Sequence, residues 1–175
     1  MGADPGRRAE LVAAMGHDGD RAVARFERGC RCLAAWTGGR VVAYAWLSMG
    51  PEWVGELGCR IRPGPGEAYV WNCVTAPPYR HQRLYTALLG EAAGRLCQEG
   101  LTRLWVVTLA EVPHASRGVM AAGFRAALSL SARRLGGLHL LWATAEAGAD
   151  RALAASARRV AGGPHLGRRP KPVVH

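Results

Sequence analysis

Residues 74–89 read VTAPPYRHQRLYTALL, and this stretch decides the fold. It continues Glu67–Thr75 (EAYVWNCVT), whose aromatic and β-branched residues are typical of a central β-strand. Two prolines, Pro77 and Pro78, end that strand. From Leu84 onward apolar residues recur every four positions, which predicts a helix with a wide apolar face that stops near Gly100. The stretch is therefore predicted to join a strand to a helix through a short turn.

The start of this helix is rich in positive charge, because Arg80 and Arg83 precede its first apolar residue. A helix N-terminus has free backbone N–H groups and a partial positive charge. Such a terminus suits an anion, best a phosphate or pyrophosphate. The alternative interpretation is a solvated helix start that happens to contain arginines.

The flanking sequence extends the α/β pattern in both directions. Upstream, the pattern predicts a helix over Arg21–Arg28 and a hairpin whose two strands, Cys32–Trp36 and Val41–Leu47, meet at Gly38-Gly39. Downstream, it predicts a strand over Leu101–Leu109 and a helix that begins at Pro113 and ends near Gly123. Two further strands, Phe124–Ser131 and Leu138–Ala143, follow and are joined across Arg133–Gly137.

The length of 175 residues favours one domain with a tail. We assign residues 1–145 to the domain, with residues 1–28 as a short N-terminal helical part. Residues 146–175 are a basic segment rich in Ala, Arg, Gly and Pro, with one helical stretch over Asp150–Val160.

Composition excludes several classes of protein. The chain is 49% hydrophobic and lacks any apolar run of membrane-spanning length, so we expect a cytoplasmic protein without a membrane partner. Its five cysteines lack the spacing of a zinc site, and we expect no metal. The net charge of +10 comes almost wholly from arginine, which indicates a codon bias more than a nucleic-acid partner.

The strand–turn–helix segment resembles the acyl-CoA-binding motif of GNAT-type N-acetyltransferases. Thr75, Pro77 and Arg80 stand at the Val, Pro and Arg/Gln positions of that motif, and Ala122-Gly123-Phe124 resembles the end of the family's second conserved helix. Arg83 and Tyr85 depart from the motif, which has glycines there. The resemblance implies an α/β (α+β) fold with a mixed, mostly antiparallel central sheet and helices on both faces.

The resemblance also implies acetyl-CoA as co-substrate and direct attack by a primary amine on its thioester. In the family, the motif strand and the next strand splay apart, and their free backbone groups bind the pantetheine arm. Here those groups belong to Cys73, Val74 and Thr75 and, opposite them, to Val106, Val107 and Thr108. The implied pyrophosphate loop comprises Arg80, His81, Gln82, Arg83, Leu84 and Tyr85.

The resemblance identifies the catalytic acid and base less completely than the co-substrate site. Tyr69 occupies the position where several family members have a Glu, so Glu67, two residues earlier on the same strand face, is the first candidate base. Glu56 is the second. Glu67 could instead be a solvated carboxylate at a strand end. Val119 replaces the family's usual acid, a Tyr, and the candidate substitutes are Tyr85, Tyr79 and His114.

Three functions remain open at this point. The first is an N-acyltransferase that acetylates a small-molecule or peptide amine, and a homodimer is compatible with it. The second is a catalytically inactive GNAT-like binding module, favoured by the missing glycines and tyrosine. The third is a nucleic-acid-binding protein, which the core-like position of the aromatic residues disfavours.

Three of the six tryptophans, Trp46, Trp53 and Trp71, pack in the core or line an apolar acceptor pocket.

Overall fold

The computed structural model describes residues 5–135, 138–162 and 165–168. Its helices are α1 (Pro5–Ala14), α2 (Gly19–Glu27), α3 (Leu84–Gln98), α4 (Pro113–Ala121) and α5 (Arg151–Val160). Its strands are β1 (Arg31–Thr37), β2 (Arg40–Ser48), β3 (Glu52–Val54), β4 (Cys59–Ile61), β5 (Glu67–Thr75), β6 (Arg103–Val106), β7 (Leu128–Leu135), β8 (Leu138–Ala145) and β9 (His165–Arg168).

The chain divides into two compact units. The first combines Met1–Met49 with Gly66–Phe124, and the second combines Gly50–Pro65 with Arg125–His175. A four-stranded sheet of order β1-β2-β5-β6 forms the centre of the first unit. The β1/β2 and β2/β5 pairs are antiparallel, and β5/β6 is parallel with α3 as its connection.

Helices cover both faces of this sheet, because successive residues of a strand point to opposite sides. Ala45 and Val70 pack on one side against α3 and α4, in a core with Leu89. Tyr44 and Trp46 pack on the other side against α1 and α2. The mixed, mostly antiparallel sheet with helices on both faces is therefore confirmed.

The second unit contains the β3/β4 hairpin, the antiparallel sheet β7-β8-β9 and α5. Asp150 caps α5, since its carboxylate accepts a hydrogen bond of 2.9 Å from the backbone N–H of Leu153. The inner face of α5 is made of small side chains, and Ala154 and Val160 are buried. No helix among the described residues is long and apolar enough to cross a membrane.

Most of the predicted elements are confirmed. The hairpin turns at Gly38 and Gly39, which both have positive φ, and β5 has the predicted bounds. α2, α3, α4 and α5 also lie where helices were predicted, and α1 lies within the N-terminal helical part, where no separate helix was predicted.

Two strand predictions need correction. β6 ends at Val106 and not at Leu109, because its pairing with β5 stops there. β7 begins at Leu128 and not at Phe124, since Phe124 packs against the core of the first unit, and β7 then extends to Leu135. The predicted turn across Arg133–Gly137 is thereby shortened, and residues 136–137 of it lie outside the described residues. The sequence also missed β9, which pairs with β8 inside the segment assigned to the tail. The boundary at residue 145 stays a prediction.

Candidate active site

The parallel strands β5 and β6 separate halfway along β5. Their pairing runs from Glu67↔Arg103 to Val70↔Val106 and then ends, so residues 71–75 of β5 have no described strand beside them on the β6 side. Backbone N–H and C=O groups on an open strand edge are available to a ligand. Cys73, Val74 and Thr75, predicted to bind a pantetheine arm, lie in this open part of β5.

A β-bulge lies at the point where the strands separate. The β2/β5 register shifts between Tyr44↔Val74 and Trp46↔Trp71, so Asn72 and Cys73 together oppose Ala45. Asn72 has a φ of 44°, a left-handed conformation that asparagine tolerates better than most residues. Its side-chain Oδ1 accepts a hydrogen bond of 2.7 Å from Nη1 of Arg25 on α2. Sequence reasoning missed this bulge, although an Asn inside a run of strand-forming residues was a signal for it.

The turn between β5 and α3 adopts an unusual backbone conformation. Pro77–Tyr79 form one 3₁₀ turn, and then His81 and Arg83 both take left-handed φ values, 63° and 60°. Arg83 occupies one of the two positions where the family motif has glycine. A left-handed residue costs ~1–2 kcal/mol when it carries a Cβ, so Arg83 adopts at some cost in stability a conformation that is free of strain for glycine.

This turn presents hydrogen-bond donors and positive charge. Arg83 makes no side-chain cap to α3, and the backbone N–H groups of Leu84, Tyr85 and Thr86 have no acceptor within the described residues. Arg80 stays at the turn because its Nε donates to the carbonyl oxygen of Thr75 at 3.3 Å. Free N–H groups at a helix start, with exposed guanidinium groups beside them, fit a pyrophosphate.

The first turn of α3 also carries Tyr85, the candidate acid. Its ring packs so closely on α4 that a Cβ added to Gly118 would lie 2.9 Å from the ring. Burial raises the pKa of Tyr85, and the nearby Cys73 adds to that shift. Burial likewise raises the pKa of Cys73 to about 12. Both groups are therefore neutral at physiological pH, and Tyr85 is a hydrogen-bond donor rather than a ready source of protons.

The β6 side of the opening carries a pair of hydroxyl groups. Thr108 Oγ1 and Ser116 Oγ of α4 lie 2.9 Å apart. Thr108 follows β6 in the chain, two residues beyond Val106, where the pairing with β5 has ended. Sequence reasoning named only the backbone of Thr108, because the contact with Ser116 depends on how α4 packs.

Glu67 lies at the closed end of the strand pair. It is 5% exposed, its Oε1 is 3.2 Å from Nη1 of Arg103, and its Oε2 accepts a hydrogen bond of 2.9 Å from the Trp105 indole. Five residues separate it from Asn72, or roughly 16 Å at ~3.3 Å per residue. These contacts join β5 to β6, and Glu67 is not the solvated carboxylate of the alternative interpretation.

The remaining predicted residues are dispersed. Glu56 is exposed in the turn between β3 and β4, in the second unit, and its role as a base stays a prediction. Trp46 is fully buried, Trp71 is half-buried beside it, and Trp53 is 48% exposed. Within the described ranges there is no group of three His, Cys, Asp or Glu residues that could hold a metal ion.

Known proteins resemble this chain in sequence pattern and in fold. The family model described as acetyltransferase (GNAT) matches residues 10–124. A structure from Agrobacterium tumefaciens strain C58, assigned as an acetyltransferase, aligns over 77% of this chain and 98% of its own, with 17% identity and a TM-score of 0.55. A ribosomal-protein-alanine N-acetyltransferase from Brucella melitensis biovar Abortus 2308 aligns over 74% and 92%, with 16% identity and a TM-score of 0.53.

A third structure was solved with a ligand. AAC(6')-Iy in complex with the bisubstrate analogue CoA-S-monomethyl-acetylneamine aligns over 69% of this chain and 86% of its own, with 18% identity and a TM-score of 0.52. At these identities the three structures show a shared fold. A search of curated proteins finds no match.

Proposed function

The chain belongs to the GNAT acetyltransferase family, and from that premise we propose that it transfers an acetyl group from acetyl-CoA to a primary amine in a ternary complex. One observation carries the proposal: the strand pair β5/β6 opens at a bulge, beside a turn rich in unpaired N–H donors. A nucleic-acid-binding module would not need this arrangement.

The residues present fit acetyl-CoA, which supplies an activated acyl group as a thioester. The N–H groups of Leu84, Tyr85 and Thr86, together with Arg80 and Arg83, would bind the pyrophosphate. Neither side chain at the two glycine positions caps these donors, since Arg83 is solvent-exposed and Tyr85 packs on α4.

The open edge of β5 would bind the rest of the co-substrate. Cys73, Val74 and Thr75 offer backbone groups that can pair with the amides of an extended pantetheine arm. A backbone N–H at the Asn72 bulge would polarise the acyl carbonyl, as preorganised donors do in acyl transfer. Holding both reactants here also supplies the proximity on which such a reaction depends.

Groups around the opening would stabilise the leaving sulfur and accept the proton of the amine. Tyr85 would donate a hydrogen bond to the leaving sulfur and stay protonated, because its pKa lies above that of the thiol. Glu67, the first candidate base, can accept a proton only through water at its distance from the bulge. Its contacts with Arg103 and Trp105 favour an anchoring role, and the choice between Glu67 and Glu56 rests on sequence alone.

An acetyl-transfer assay tests the proposal. Acetyl-CoA is incubated with anionic, neutral and cationic amines, and both the free thiol and the mass of the acetylated amine are measured. We expect amine-dependent thiol release, with kcat lowered several-fold in Tyr85→Phe. A larger loss in Tyr79→Phe would assign this role to Tyr79, the other candidate in the same segment. Binding of acetyl-CoA without transfer to any amine would favour the inactive module instead.

A further inference from the structure

The guanidinium group of Arg25 stacks on two indole rings beside the bulge. The Arg25 guanidinium carbon lies 5.0 Å from the ring centroid of Trp46 and 4.7 Å from that of Trp71, while Nη1 donates to Asn72. We refer to Arg25, Trp46, Trp71 and Asn72 as the Arg25 cluster. It lies on the face of the sheet covered by α1 and α2, opposite the face on which α3 and α4 pack.

The Arg25 cluster contains more hydrogen-bond donors than acceptors. Asn72 Oδ1 is the one acceptor that Arg25 contacts within the described residues, and no described carboxylate lies within ion-pair distance of it. The indole N–H groups of Trp46 and Trp71 are buried and also have no acceptor in the described part of the chain. A half-buried guanidinium is thus left without an anion, above two indole rings whose N–H groups are enclosed in the protein.

The charged groups around Arg25 neutralise its guanidinium only in part. Asp18 is the acidic group that attracts Arg25 within the described residues. It accepts a hydrogen bond from the Tyr44 hydroxyl at 3.3 Å and lies 3.8 Å from Arg21. Desolvation lowers the pKa of Arg25, and the attraction of Asp18 only partly offsets this effect. A partly desolvated cation on an aromatic platform gains free energy when an anion pairs with it.

The position of the cluster links it to the acyl acceptor. Arg25 bonds directly to the residue that forms the bulge, and α3 and α4 fill the other face of the sheet beside it. An amine that reaches the bulge would therefore arrive on the side of Arg25. A planar carboxylate close to that amine matches the fork of guanidinium donors.

We propose that the Arg25 cluster recognises a carboxylate on the acceptor, so that the preferred substrates are amines with a nearby carboxylate, as in an amino acid. This inference rests on the proposed acetyltransferase function. The same charge disfavours polycationic amines, because a second cation beside a half-buried Arg25 is repelled. Arg25 is then a specificity-determining residue.

Matched acceptor pairs test the inference without any mutation. Phenylalanine is compared with phenylalaninamide, and β-alanine with propylamine, by kcat/KM at saturating acetyl-CoA. We expect the carboxylate member of each pair to be preferred at least ten-fold. The lower basicity of phenylalaninamide leaves more of it as free amine, so this bias works against the expected result. Equal or better use of the uncharged members would overturn the proposal.

Two variants then locate the preference. Arg25→Gln keeps an N–H donor for Asn72 but removes the charge, and Arg21→Gln is its control, one turn earlier on α2 and exposed. We expect Arg25→Gln to reduce the preference at least five-fold through the KM for the carboxylate acceptor, with the KM for acetyl-CoA unchanged, whereas Arg21→Gln retains the preference. An equal loss of kcat for both members of a pair would assign Arg25 to shaping the bulge and reject it as a specificity residue. If no amine of any charge is acetylated, the proposed function itself fails.

Discussion

The Arg83→Gly substitution measures the free-energy cost of the left-handed backbone before α3, separately from the effect of removing a charged side chain. Arg83 has a φ of 60°, where a residue with a Cβ loses ~1–2 kcal/mol and glycine loses none. Glycine has more conformational freedom in the unfolded chain, which costs ~0.5–1 kcal/mol. The net expectation is a gain of roughly 0.5–1 kcal/mol. For a protein of this size that corresponds to a rise in Tm of roughly 1–4 °C.

Urea unfolding and thermal unfolding measure this gain. Arg83→Ala is the matched control, because it removes the same guanidinium but keeps a Cβ in the left-handed conformation, so it should gain nothing. Arg80→Gly is a second control, since Arg80 has a φ of −66° and no strain to relieve. If Arg83→Gly proved no more stable than Arg83→Ala, the argument for a strained turn would be refuted.

Two further predictions concern the packing around the site. Gly118→Ala should cost ~1–3 kcal/mol of unfolding free energy, because the new Cβ would meet the Tyr85 ring at 2.9 Å, whereas Gly90→Ala, with open space in α3, should gain up to ~1 kcal/mol in urea titrations. Glu67→Gln should cost ~1–3 kcal/mol of unfolding free energy, because the amide N–H group of the glutamine would face either the Arg103 guanidinium or the Trp105 indole, and both are donors. Since the account gives Glu67 an anchoring role, kcat/KM of this variant should fall at low pH as it does in the unsubstituted protein. Glu91→Gln, which loses only a helical surface pair, should change stability by ~0.5 kcal/mol or less; an equal loss in both Glu variants would contradict the anchoring role.

The local elements around the site were predictable because their signals are local. The run Glu67–Thr75 is strand-forming throughout and ends at two prolines, so β5 was predicted with its observed bounds. The four-residue recurrence from Leu84 and the glycine at position 100 likewise predicted α3. The left-handed φ of Arg83 was not predicted, although the glycine at this position of the family motif was a signal for it.

Long-range contacts account for what the sequence did not predict. The run Leu101–Leu109 was predicted as one strand, yet β6 ends at Val106, because a strand needs a partner and the pairing with β5 ends there. Glu67 looked like a strand-end carboxylate until Arg103 and Trp105 were brought beside it by the parallel register. Arg25 and Asn72 are 47 residues apart, and no local pattern pairs them.

Acetyl-CoA binding measured by calorimetry tests the central claim most directly. The protein is compared with Arg80→Ala/Arg83→Ala and with Arg21→Ala/Arg95→Ala, a control that removes two exposed arginines, one on α2 and one in the last turn of α3. We predict micromolar binding that weakens ten-fold or more, or ~1.4 kcal/mol, in the first double variant only. No binding at millimolar acetyl-CoA, or an equal loss in both double variants, would contradict a pyrophosphate site at the start of α3.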